Sequence, residues 1–106
     1  MSHTKVRYDE VDAVADAMYF LRDPLECEQL GITVVECDPG WDGKPHDHGE
    51  DEHEEVYLLM EGEATMTVDG DEVSLSSGDA LRVAPEAERQ INNGDTESTF
   101  VIVGAP

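Results

Sequence analysis

The sequence predicts an all-β fold, and three observations carry that prediction. Short β-branched or apolar runs recur roughly every eight residues along the chain. Turn-forming pairs separate them, the clearest being Asp69-Gly70 between Ala64–Val68 and Glu72–Leu75. Helical periodicity is confined to one stretch near the N-terminus, where Val11 and Val14 stand three apart behind acidic residues. Evenly spaced short strands with almost no helix indicate an antiparallel sandwich or barrel.

In chain order, Lys5-Val6-Arg7-Tyr8 alternates and is expected as a first edge strand. Asp9 to Ala15 fits one helical turn with Asp9 as its N-cap. Ala17–Leu21 reads as a strand closed by Arg22-Asp23-Pro24, and Ile32–Cys37 as a β-branched strand ended by Asp38-Pro39-Gly40. Strands Val56–Met60 and Ala64–Val68 meet at Glu61-Gly62-Glu63. Glu72–Leu75, Ala80–Val83 and Ser98–Val103 follow, the last of them after a turn at Asn92-Asn93-Gly94-Asp95.

A chain of 106 residues is expected to form one domain around a single core. Its 26 acidic and 6 basic residues give a net charge of −20, which argues against nucleic acid and anionic membrane as partners. Uniform charge of that size repels itself at low salt, so the composition suggests a halophilic protein from a high-salt cytoplasm. Cys27 and Cys37 match no metal or redox spacing and are expected as reduced thiols. No apolar run approaches the roughly 18 residues of a membrane span, and the polar start Met1–Glu10 is unlike a signal peptide; a soluble, cytoplasmic protein is expected.

The candidate site is the stretch Pro45 to Gly62, where three of the four histidines lie among carboxylates. In extended backbone residues i and i+2 share a face, so the imidazoles of His46 and His48 can reach one ion at about 2.0–2.1 Å. A carboxylate at the root of the following strand completes two His and one carboxylate. That set is associated with iron, with manganese, nickel and zinc as competitors. The competing reading is a solvated acidic loop, and Gly49-Glu50-Asp51-Glu52 is assigned to solvent on that basis.

At this point the residues resemble the cupin superfamily, whose first motif is written G-(x)5-H-x-H-(x)3,4-E-(x)6-G. Gly40, His46 and His48 match its first half, and Glu55 and Gly62 its second. Six residues separate His48 from Glu55, so the loop is lengthened, and Glu52 and Glu54 stand as alternative carboxylates to Glu55. The second motif, G-(x)5-P-x-G-(x)2-H-(x)3-N, falls on Gly78 to Asn93. Gly78 and Asn93 fit, Ala84 and Glu86 stand where proline and glycine are expected, and Arg89 replaces the third histidine. The resemblance implies a cupin jelly-roll-like barrel over about residues 33–103, preceded by an extension over 1–32.

An always-protonated guanidinium is no metal ligand. Arg89 therefore pairs with Glu55 in a metal-free interior, grips an anionic ligand, or faces solvent on a shifted strand 86–91. His53, in the lengthened loop, is a minority substitute for the missing ligand. Trp41 is a candidate for the pocket mouth, and Tyr57, Leu59 and Met66 are wall candidates by alternation from Glu55, although alternation makes them core residues first.

The function so implied is a small cupin that binds a divalent metal through His46, His48 and Glu55 and acts on a small anionic molecule as an oxygenase or isomerase. The sequence shows no general base apart from the ligands. The other reading is a metal-free binding or structural cupin with an Arg89–Glu55 pair. A homodimer is expected in either case, as is common among small cupins. Each imidazole needs an acceptor for its second N–H, for which Asp47 or a backbone carbonyl is the candidate.

Overall fold

The computed structural model describes residues 2–106. The strands are β1 (Met18–Phe20), β2 (Gly31–Cys37), β3 (Glu54–Glu61), β4 (Glu63–Val68), β5 (Asp71–Ser76), β6 (Ala80–Val83), β7 (Arg89–Asn93) and β8 (Ser98–Ala105). They form a five-stranded sheet of order β1-β2-β8-β3-β6 and a three-stranded sheet of order β5-β4-β7. Every strand pair is antiparallel.

Alternation along each strand sends one set of side chains between the sheets. Val35, Cys37, Tyr57, Leu59, Phe100 and Val83 come from the large sheet, and Ala64, Met66, Leu75 and Ile91 from the small one. The opposite face of the large sheet is apolar as well. Ile32, Val103 and Val56 lie side by side in register, and so do Val34, Val101 and Leu58, all half-buried. Leu30 and Met60 at 45% and 51% exposure add to the exposed apolar surface.

Turn chemistry sets the registers. Asp69 and Gly70 both adopt positive φ, 48° and 85°, the backbone a two-residue hairpin needs to follow the strand twist. Gly62 between β3 and β4 has φ +88°, and a Cβ there would lie 2.3 Å from the Glu97 carbonyl oxygen, so no other residue fits.

The N-terminal segment differs from expectation. Lys5–Tyr8 is not a strand: β1 is the edge of the sheet, and Tyr8 belongs to a 3-10 turn. The expected helical turn is shorter and earlier, a single 3-10 turn at Tyr8–Glu10 with Arg7 at the N-cap position. Asp9 caps nothing and instead pairs with Arg7 at 3.2 Å.

The strand expected over 86–91 runs over Arg89–Asn93 and so takes in the first half of the expected Asn92–Asp95 turn. The reason is Asn93, whose buried amide donates to the carbonyls of Asp38 (2.6 Å), Thr96 (2.9 Å) and Cys37 (3.3 Å) and accepts from Ser98 Oγ at 2.6 Å. Four such bonds hold Asn93 in the sheet against its turn propensity.

Candidate metal centre and its cavity

The segment carrying the histidines is held as a partial extra strand along β7. Gly43 N–H donates to Ile91 O, His46 and Arg89 exchange both backbone hydrogen bonds, and Asn93 N–H donates to Trp41 O. His48 N–H then donates to Pro85 O at 2.7 Å. This ladder extends the backbone and turns both imidazoles to the same side, as the i, i+2 spacing predicts. Glu55 arrives from the first residues of β3, opposite Gly104 of β8. A Cβ at Gly104 would come within 3.1 Å of Glu55 Cγ, so the glycine makes room for the carboxylate.

His46, His48 and Glu55 each bring a ligand atom within 4.8 Å of the other two. Among the alternative carboxylates, Glu54 lies on the outer face and pairs with Arg82 at 2.8 Å, while Glu52 is exposed in the loop at φ 56°. His53 stacks on His48 with ring centroids 6.2 Å apart and is not part of the set.

The hydrogen bonds on the far side of the rings fix their protonation. His46 Nδ1 meets the Lys44 carbonyl at 3.1 Å, an acceptor only, so Nδ1 carries the proton. His48 Nδ1 meets the Asp51 carboxylate at 3.1 Å. That hydrogen bond holds the Asp51 carboxyl below its ordinary pKa, so Asp51 too accepts only. Asp47, the candidate for this role from the sequence, binds the Gly49 N–H instead. Asp51 was assigned to solvent because nothing in a run of acids marks the one whose loop closes onto a ring; the i, i+3 spacing from His48 is the only trace of it.

With Nδ1 held by these acceptors, Nε2 is the ring nitrogen left to meet an ion. That of His48 faces Glu55 Oε1 at 3.3 Å. The donor set of two imidazoles and one carboxylate fits a divalent metal.

Arg89 settles the three readings of its position in favour of an inward side chain. It is 1% exposed and its guanidinium is committed in three directions: Nη1 to Glu55 Oε1 at 2.9 Å, Nη2 to Ala84 O at 2.6 Å, and Nε to Ala87 O at 3.0 Å. The Tyr57 hydroxyl donates to the same Glu55 oxygen at 2.9 Å. Burial first, then the neighbouring Glu55, pushes the Tyr57 phenol far above its ordinary range, so it stays a donor and never serves as a base.

Above this polar floor opens a cavity of about 340 Å³. Trp41 and Tyr57 line it, joined by Lys44, Thr33 and the apolar side chains Met18, Phe20, Val35, Ile91 and Ile102. Leu59 and Met66 are fully buried in the core rather than in this wall. Met18, Phe20 and Lys44 were missed because strand and loop positions this far apart in sequence meet only when the sheets close.

The sequence model of one family, the cupin domain, matches residues 33–104. A search of curated proteins gives no match. Solved structures similar to this chain include a cupin protein from Bacteroides fragilis, 27% identical with a TM-score of 0.80, covering 99% of this chain and 85% of the other. A Cupin 2 conserved barrel domain protein from Salinispora arenicola is 18% identical with a TM-score of 0.77, over 100% of this chain and 89% of the other. A protein described as a sugar phosphate isomerase from Silicibacter pomeroyi is 23% identical with a TM-score of 0.75, over 96% and 75% of the two chains.

Proposed function

The chain belongs to the cupin family, and from that premise we propose that it is a metal-binding cupin whose site holds a divalent ion through His46, His48 and Glu55 and takes a small anionic molecule. The observation that supports this most directly is that His46, His48 and Glu55 bring ligand atoms within 4.8 Å of one another, with Nδ1 of the two rings held by Lys44 O and Asp51 so that Nε2 is left to meet an ion. When bound, iron, manganese, nickel or zinc supplies Lewis acidity toward a ligand oxygen.

The chain's own residues shape what such a site does. Arg89 offsets the charge of Glu55, so the protein neutralises none of the ion's own charge and an anionic ligand is favoured. Tyr57 and Arg89 together hold one carboxylate oxygen in place. The wall above this floor is mostly apolar. Oxygenase and isomerase chemistry both suit these parts, and a second carboxylate or imidazole free to act as a base is not among the side chains lining the cavity.

Elemental analysis of untagged protein purified without chelator in high salt, beside the His46→Ala/His48→Ala variant, tests the reading. About one ion per chain in the parent and none in the variant is expected, and equal metal content in the two refutes it. Asp51→Asn, at an exposed position, is expected to weaken metal retention by about 10–100-fold with the fold unchanged.

The second reading, a metal-free interior, is favoured by the Arg89–Glu55 pair itself. It predicts a metal-free parent whose melting is indifferent to chelators. For the assembly, we propose a homodimer through the apolar outer face of the large sheet, where Ile32, Val34, Val56, Leu58, Val101 and Val103 give two strongly acidic copies an apolar contact flanked by the Arg82–Glu54 ion pair.

A further inference from the structure

The cavity has two unlike ends, and the contrast specifies a ligand. Its floor is the polar set of His46, His48, Glu55 and Arg89, with Lys44 beside it. Its wall is Met18, Phe20, Val35, Trp41, Ile91 and Ile102, with the hydroxyls of Thr33 and Tyr57 beside them, the latter already donating to Glu55. Two of the six cations in a chain of net charge −20 line this cavity, against one carboxylate. The charged side chains of the lining therefore favour an anion, and an ion held at the floor would add to that preference.

The wall argues about the rest of the ligand. A body rich in hydroxyls would bury most of them against apolar side chains that offer few partners, whereas a flat or branched hydrocarbon body gains from every such contact. Phe20 marks where that gain is made. Val35 and Ile91 are already 1% and 7% exposed, while Phe20 is 47% exposed on a three-residue edge strand paired only with β2. Its phenyl ring is the wall residue with the most area left to bury. Both Phe20 and Met18 lie on β1, at the edge of the five-stranded sheet.

Resting on the reading that the polar floor accepts an anion, we propose that the ligand is a small monocarboxylate with an apolar body, and that Phe20 is the residue that selects it. Lys44 and the floor take the carboxylate. Phe20, Met18 and Trp41 take the body.

Calorimetric titration of the full chain in high salt tests this with three probes: phenylacetate, gluconate (the same charge on a hydroxylated body) and benzyl alcohol (a similar body without charge). Phenylacetate is expected to bind about tenfold or more tightly than either of the others. Phe20→Ser should weaken phenylacetate by about tenfold with the metal content, the circular dichroism spectrum and gluconate binding unchanged. Lys44→Gln should weaken both carboxylates. Gluconate binding as tightly as phenylacetate, no response to Phe20→Ser, or no binding of any probe overturns the proposal.

The metal content of the same samples separates this inference from the one beneath it. A metal-free parent that still prefers phenylacetate refutes the metal reading and leaves the ligand class standing. A metal-loaded parent that prefers gluconate does the reverse.

Discussion

At the scale of single residues, the site is decided by which atoms are left without partners. Arg89 has its fork occupied by Glu55 and two backbone carbonyls, and every buried side-chain polar atom among the described residues has a partner. Removing the guanidinium leaves a half-buried carboxylate uncompensated. Arg89→Met is therefore expected to destabilise the metal-free protein by about 3–5 kcal/mol. The penalty should shrink on adding metal, since a bound cation replaces the lost one; denaturant melts with and without metal check this. Arg89→His places a ligand where the side chain already points inward, so metal affinity should rise. No gain would mean that an imidazole at this position does not reach the ion.

Tyr57 supplies the pH dependence. Its pKa is raised in the folded chain, first by burial and then by Glu55, above the 10.0 of the free phenol. The folded state therefore keeps this proton when the unfolded chain releases it. Stability is intact below about pH 10 and falls as pH rises beyond it. Tyr57→Phe should flatten that alkaline decline in melts from pH 9 to 11, and an identical decline would exonerate the phenol.

At the scale of elements, the pairing of strands does what no single side chain can. The segment Trp41–His48 becomes ordered by laddering onto β7, and Glu55 reaches the imidazoles because β3 pairs with β8 in the register Glu55 opposite Gly104. That register makes Gly104 a positional requirement. Gly104→Ala puts a methyl group 3.1 Å from Glu55 Cγ and 3.3 Å from the Glu54 carbonyl, so Glu55 must move. Expected are weakened metal retention and a stability loss of about 1–3 kcal/mol from overpacking. Unchanged metal affinity in this variant would show that the carboxylate tolerates the shift.

At the scale of the molecule, charge dominates. The net charge of −20 is relieved by few close ion pairs: Arg7–Asp9, Arg82–Glu54 and Arg89–Glu55 account for three of the six cations. Repulsion among the remaining carboxylates is screened over a Debye length of about 3 Å at 1 M salt and about 30 Å at 0.01 M. The melting temperature should therefore rise with ionic strength, and indifference to salt would contradict it. The outer apolar face makes the complementary prediction. Sedimentation at high salt should show a dimer, and Leu58→Glu with Val101→Glu should return it to monomer; a parent that sediments as a monomer ends the proposal.

Local chemistry is enough to read much of this protein from its sequence. Alternation and turn residues marked the inner face, the Asp69-Gly70 hairpin and strands β2 to β6 and β8, because strand periodicity and positive-φ preference act between near neighbours. His46, His48 and Glu55 were legible from spacing and from the family motif they resemble. The tertiary structure alone decided which acid supports His48, which carboxylate faces the imidazoles, where Arg89 points, and that Met18, Phe20 and Lys44 share a cavity with them. Those facts depend on contacts between residues distant in sequence, and such contacts exist only once two sheets have chosen their registers and closed on one another.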